Sequence, residues 1–91
     1  MNEHYVRLIA NIILNDSKHK SILCKLSAKH ENSKVDLVDV WLPRKKAEVR
    51  GGGEIWADPW IIEKKEEELA AEKFEGEVIQ LATFDAEGVN G

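Results

Sequence analysis

The sequence predicts an α+β fold, four or five mostly antiparallel strands with one amphipathic helix packed on the sheet, and three observations carry that expectation. Apolar residues recur at every second place at Ile22, Cys24, Leu26 and Ala28 and again at Val38, Val40 and Leu42, which is the period of a half-buried strand. Asp58 directly before Pro59 is the pattern of a helix N-cap with proline at the first helical position. Gly76, placed after a long charged run, suits a helix C-cap.

In chain order, Val6, Leu8, Ala10, Ile12 and Leu14 are apolar while Arg7, Asn11 and Asn15 take the other parity, a strand pattern helped by β-branched isoleucines. The same residues also read as a helix, since Tyr5, Leu8, Ile9, Ile12 and Ile13 follow helical spacing. Asn15 to Lys18 is a turn cluster, and the strand through Ile22, Cys24, Leu26 and Ala28 forms a hairpin with the first. His30 to Ser33 makes the next turn, and Val35 to Leu42 a third strand that Pro43 ends or places at an edge. Arg44, Lys45 and Lys46 then lead through Ala47 and Val49 to the tip Gly51 to Gly53 and a short strand Glu54 to Trp56. The helix runs from Pro59 to about Phe74 with Trp60, Ile61, Ile62, Leu69 and Phe74 docking its two ends and a charged, solvated middle. Val78 to Phe84 supplies the last strand; the whole makes one domain over residues 1–84 with a tail, 85–91, polar enough to fray.

Ninety-one residues suffice for one core only, and 43% hydrophobic against 33% charged content is that of a folding chain, too apolar for disorder. The single cysteine, Cys24, has no partner for a disulfide and fits a reducing setting. The start MNEHYVRLIANIILNDSK has no basic n-region with a small-residue cleavage site, and no stretch approaches the ~18 apolar residues of a membrane span, so a cytoplasmic location is expected. The net charge of −4 is split: residues 1 to 50 carry ten Lys/Arg and six Asp/Glu, and residues 51 to 91 carry three and eleven, giving halves of +4 and −8.

No catalytic pattern emerges, and the chain is expected not to be an enzyme. Asp36, Asp39, Glu54 and Asp58 offer carboxylates without a histidine or serine spaced for a triad. The glycine triplet lacks the Gly-Lys-Ser/Thr ending of a phosphate-binding loop. His4, His19, His30 and Cys24, the soft metal ligands of the chain, lack the three- or four-residue spacing that puts two on one helical face, so neither a metal nor a cofactor is expected. Binding is the remaining class. Arg44, Lys45, Lys46 and Arg50 are expected to be mobile cations beside the exposable rings of Trp41 and Trp56, and cations interleaved with aromatic rings suit single-stranded nucleic acid. The plainer reading of the same run is a solvated edge strand whose lysines discourage pairing, with the three tryptophans as core or helix-docking residues.

Trp41-Leu42-Pro43, followed by a basic run and an extended segment closing on Asp58-Pro59-Trp60-Ile61-Ile62-Glu63-Lys64-Lys65, resembles a pattern in small bacteriophage and prophage proteins, where a "WLP" strand end precedes a "PEWL" helix start and a Glu/Lys-rich helix. The likeness covers about a third of the chain and departs at Gly51 to Gly53 and at Ile61-Ile62, where that pattern prefers Leu-Ala. It implies a phage or mobile-element origin and brings no catalytic residues. The leading expectation is thus a non-enzymatic binding module that engages a macromolecule, single-stranded nucleic acid or a nucleic-acid-associated protein, through Trp41, Arg44, Lys45, Lys46, Arg50 and Trp56. The alternative is an acidic protein-interaction module, or an inhibitor of a host nuclease, that uses Glu63, Glu66 and Glu67 on the helix at 59–75.

Overall fold

A computed structural model describes residues 4 to 84, so the expectation of a frayed tail at 85–91 lies outside the described residues. The elements are β1 (Val6–Leu8), β2 (Ala10–Leu14), β3 (Ser21–His30), β4 (Val35–Pro43), β5 (Ala47–Arg50), β6 (Glu54–Ala57), α1 (Pro59–Lys73) and β7 (Ile79–Leu81). The fold is α+β, as expected. Among the described residues there are seven strands, more than the four or five expected, because the first apolar run divides in two and the segment after Lys46 is itself a strand.

All pairings are antiparallel and fall in two sheets, β1-β6-β5 and β2-β3-β4, with β7 also pairing β3. The run from Val6 to Leu14 is extended and not helical, and it serves both sheets: β1 pairs with β6, and beyond Ile9 β2 pairs with β3. A register shift between Ile12 and Leu14 turns the end of β2 outward. The sheets are joined where Ile9 N–H donates to Ala82 C=O at 3.0 Å, Phe84 N–H donates to Arg7 C=O at 3.0 Å, and Leu8 bridges Thr83.

Alternation along β3 and β4 builds the core. Ile22, Cys24, Leu26 and Ala28 are buried from β3, Val38, Val40 and Leu42 from β4, joined by Leu8, Ile55, Leu81 and, from the helix, Ile61, Ile62 and Leu69. Ile22, Leu42, Ile55 and Leu81 are the largest fully buried side chains, each contributing about 2 kcal/mol by burial. The helix begins as its sequence requires, with the Asp58 carboxylate accepting from Trp60 N–H at 2.8 Å. It ends where Glu75 and Gly76 take positive φ and Gly76 N–H donates to Ala70 C=O. The β5–β6 tip needs its glycines for the same reason, with φ of 69° at Gly52 and 88° at Gly53. Among the described residues no helix is long and apolar enough to cross a membrane.

His30 departs from expectation. It is the last residue of β3, not part of a turn, and its ring is buried. The middle of α1 is also less solvated than its charge implies, since the half-buried Glu66 carboxylate accepts from Leu81 N–H at 2.9 Å.

Candidate functional site

The strand parity that fills the core also fixes what faces outward. On the outer face of β2-β3-β4 stand Ile9, which precedes β2, with Asn11 and Ile13 of β2, Leu23, Lys25, Ser27 and Lys29 of β3, and Val35, Leu37, Asp39 and Trp41 of β4. Register sets Leu23 opposite Trp41, Lys25 opposite Asp39, Ser27 opposite Leu37 and Lys29 opposite Val35. Lys25 Nζ lies 3.4 Å from Asp39 Oδ1. Leu37 is 68% exposed, Val35 54% and Trp41 42%, with Ile9 and Ile13 also open. Near Ser27, where β2 and β7 share one edge of β3, the face has a depression of about 330 Å³ lined by Ile9, Ser27, Lys29, Val35, Gln80 and Ala82. Apolar walls with an ammonium and an amide at the rim accept an apolar side chain beside an acidic one.

The expected basic site is partly rearranged. Arg44 is not a mobile cation: its Nε donates to His19 C=O at 2.7 Å, and its Nη2 donates to Asn15 Oδ1 and Asp16 C=O, each at 2.8 Å. This clamps the β4–β5 turn onto the β2–β3 turn, so Lys18, His19 and Lys20 join Lys45 and Lys46 at one end of the molecule. The His19 ring sits 6.1 Å from that of Trp41. Sequence reasoning missed Lys18 and Lys20, whose signal was their alternation through a turn cluster. Lys46 Nζ lies 3.9 Å from the Asp58 carboxylate and 5.8 Å from the Trp60 ring, which Lys64 also approaches.

Arg50 and Trp56 belong to the other sheet and to each other. The Arg50 guanidinium lies 4.3 Å over the Trp56 ring while its Nε donates to Glu48 at 2.7 Å, and Trp56 Nε1 donates to Glu54 at 3.0 Å. Trp41 and Trp56 are therefore on different sheets, and the six residues expected to act as one patch divide into two groups. Burial of all three tryptophans fails as well: Trp41 stands open on the outward parity of β4, and Trp60 is 55% exposed in the first turn of α1, whose buried side is formed by Ile61, Ile62 and Leu69.

The acidic residues do converge. Glu63, Glu66 and Glu67 line a groove of about 350 Å³ with Ala70, Ala71, Gly76, Val78 and Ile79. Burial pushes the Glu66 carboxyl up; the Leu81 amide opposes that shift, and the Glu63 and Glu67 charges add to it.

The carboxylates weighed for catalysis do not converge. Asp36 lies on the inner side of β4, bonded to His30, and Asp39 on the outer side. Glu54 pairs with Arg7 at 3.5 Å, and Asp58 caps α1. Among the described residues no three His, Cys, Asp or Glu side chains are placed to hold a metal ion. Cys24 is buried, and desolvation pushes its thiol up to about 11. Comparison of the chain with protein-family models, with curated proteins and with solved structures finds no match to any of them.

Proposed function

We propose that the chain is a non-enzymatic recognition module that binds a partner protein on the outer face of β2-β3-β4. One observation supports this above the others: Ile9, Ile13, Val35, Leu37 and Trp41 stand exposed together on one face while the opposite face of the same strands completes the core. Exposed apolar side chains gathered on one surface mark interaction sites, and a tryptophan among aliphatic side chains is a common energetic anchor. The charged groups of this face are Lys25, already neutralised by Asp39, and Lys29, with Lys18, Lys20 and Lys45 at its end. The partner surface that fits is apolar with acidic groups.

A second reading, single-stranded nucleic acid, is favoured by the joining of the two basic turns beside the exposed ring of Trp41. Against it, the rest of the face carries aliphatic side chains, Asn11, Ser27, Lys29 and the Lys25–Asp39 pair, and among the residues named on it Trp41 alone has a ring on which a base stacks. Affinity capture from nuclease-treated lysate separates the two. A defined protein should be retained by the wild type and lost with Ile9→Glu and Leu37→Glu, while Lys18→Gln with Lys45→Gln weakens retention only modestly. Binding of the wild type to a single-stranded oligonucleotide at low salt, abolished by the lysine changes and indifferent to the glutamate ones, overturns the protein reading.

A further inference from the structure

β4 carries an open edge whose polarity can be worked out. His30 N–H donates to Lys34 C=O at 2.8 Å and Arg44 N–H to Lys20 C=O at 2.9 Å, one at each end of the β3–β4 register. Hydrogen-bonded pairs recur at every second residue of an antiparallel ladder. The N–H and C=O groups of Asp36, Val38, Val40 and Leu42 therefore face β3, and those of Leu37, Asp39 and Trp41 face the open side. No described strand pairs there, and an edge of this length is a template for another strand.

We propose that this edge pairs with the β4 of a second copy of the chain, antiparallel about a two-fold axis at Asp39. This surface goes beyond the partner-binding face, which the pairing extends without covering. The register is self-complementary: Asp39 opposes its own copy, and Leu37 opposes the second copy's Trp41, each pair exchanging two hydrogen bonds. On the outer face the most exposed aliphatic residue meets an exposed indole, a favourable cross-strand pair. On the inner face Val38 and Val40 stay in their own core, and the edge borders a groove of about 170 Å³ between β4 and α1 whose charged lining is Asp39, Lys65, Glu68, Glu72 and Lys73. Its two lysines balance Glu68 and Glu72, which leaves Asp39 as the surplus charge. The like charges at Asp39 are the opposing term, and in each copy Lys25, 3.4 Å from its own Asp39, offsets them.

Sedimentation equilibrium across micromolar to millimolar concentration should show a monomer–dimer equilibrium. Leu37→Pro removes an outward N–H and leaves the β3–β4 ladder whole, so it should weaken the dimer more than about tenfold while the monomer stays folded by circular dichroism. Asp39→Asn should tighten it. Register is tested by oxidation, for which the buried Cys24 is silent. With Asp39→Cys the two α-carbons stand about 5.5 Å apart, within disulfide reach, whereas Val35→Cys faces Pro43 of the second copy and should cross-link far more slowly. A wild type that is monomeric throughout, or cross-linking at Val35 that matches or exceeds that at Asp39, overturns the proposal. Because Ile9 lies away from this edge, loss of the dimer with partner capture retained, or the reverse, tells this inference from the protein-binding reading.

Discussion

His30 Nε2 lies 2.7 Å from Asp36 Oδ2, joining the end of β3 to the start of β4 across their turn. The other ring nitrogen, Nδ1, meets the Glu77 carboxylate, and the Phe74 ring packs edge-on at 4.7 Å. One buried imidazole thus ties the β3–β4 hairpin to the chain leaving the helix. Two carboxylates on two ring nitrogens call for the doubly protonated ring, which donates to both. The Glu77 and then the Asp36 hydrogen bond hold the His30 pKa above its ordinary value, against the effect of burial.

This tie makes stability depend on pH. A histidine whose pKa is raised by folding stabilises the fold fully below its unfolded value of about 6.5, and that contribution fades as pH rises through the folded value. Thermal melts from mildly acidic to alkaline pH should show the melting temperature falling over that window, and His30→Gln should flatten the dependence. An equal slope in the variant contradicts the assignment.

Asp58→Ala should cost about 1 kcal/mol, since it removes the acceptor of the Trp60 N–H and a negative charge at the positive end of α1. Chemical denaturation measures it, and Asp58→Asn should recover most of the loss. An unchanged midpoint with alanine rules the cap out.

Cys24 should resist thiol reagents in the native protein and react fully once unfolded, because it is enclosed between Ile22 and Leu26 and its thiol is held protonated. Native labelling as fast as that of a free thiol would mean that the inner face of β3 is open.

Glu66→Gln should leave stability at neutral pH unchanged or raise it slightly, by under about 1 kcal/mol. The amide oxygen still accepts from Leu81 N–H, and the repulsion from Glu63 and Glu67 is removed. A loss of stability at neutral pH would show that the charged acceptor outweighs its repulsion and desolvation.

How much of this was legible in the sequence depends on the range of the interaction. The helix start at Asp58-Pro59, the parity of β3 and the Gly51 to Gly53 tip are set by neighbours in sequence, and each was readable. The change of sheet at Ile9 is set by Ala82 and Thr83, far along the chain, and left no local trace. Nor did the tie of His30 to Glu77, forty-seven residues apart, or the clamp of Arg44 on Asn15, which turned a cation expected to be mobile into a structural one. Strand β5 was hidden because four residues beside a basic run carry too little periodicity to register. The outer face was visible as Val35, Leu37 and Trp41 on one parity of β4, a signal obscured by the expectation that tryptophans are buried.

The central claim is that the outer face of β2-β3-β4 meets a partner, and methyl cross-saturation NMR on the complex with a captured protein reads it directly. The methyl groups of Ile9, Ile13, Val35 and Leu37 should lose intensity when the partner is irradiated, and those of Val78 and Ala71 beside the acidic groove should keep theirs. Attenuation confined to Ala71, Val78 and the residues along α1, with the β4 methyls untouched, would contradict the account and assign recognition to Glu63, Glu66 and Glu67.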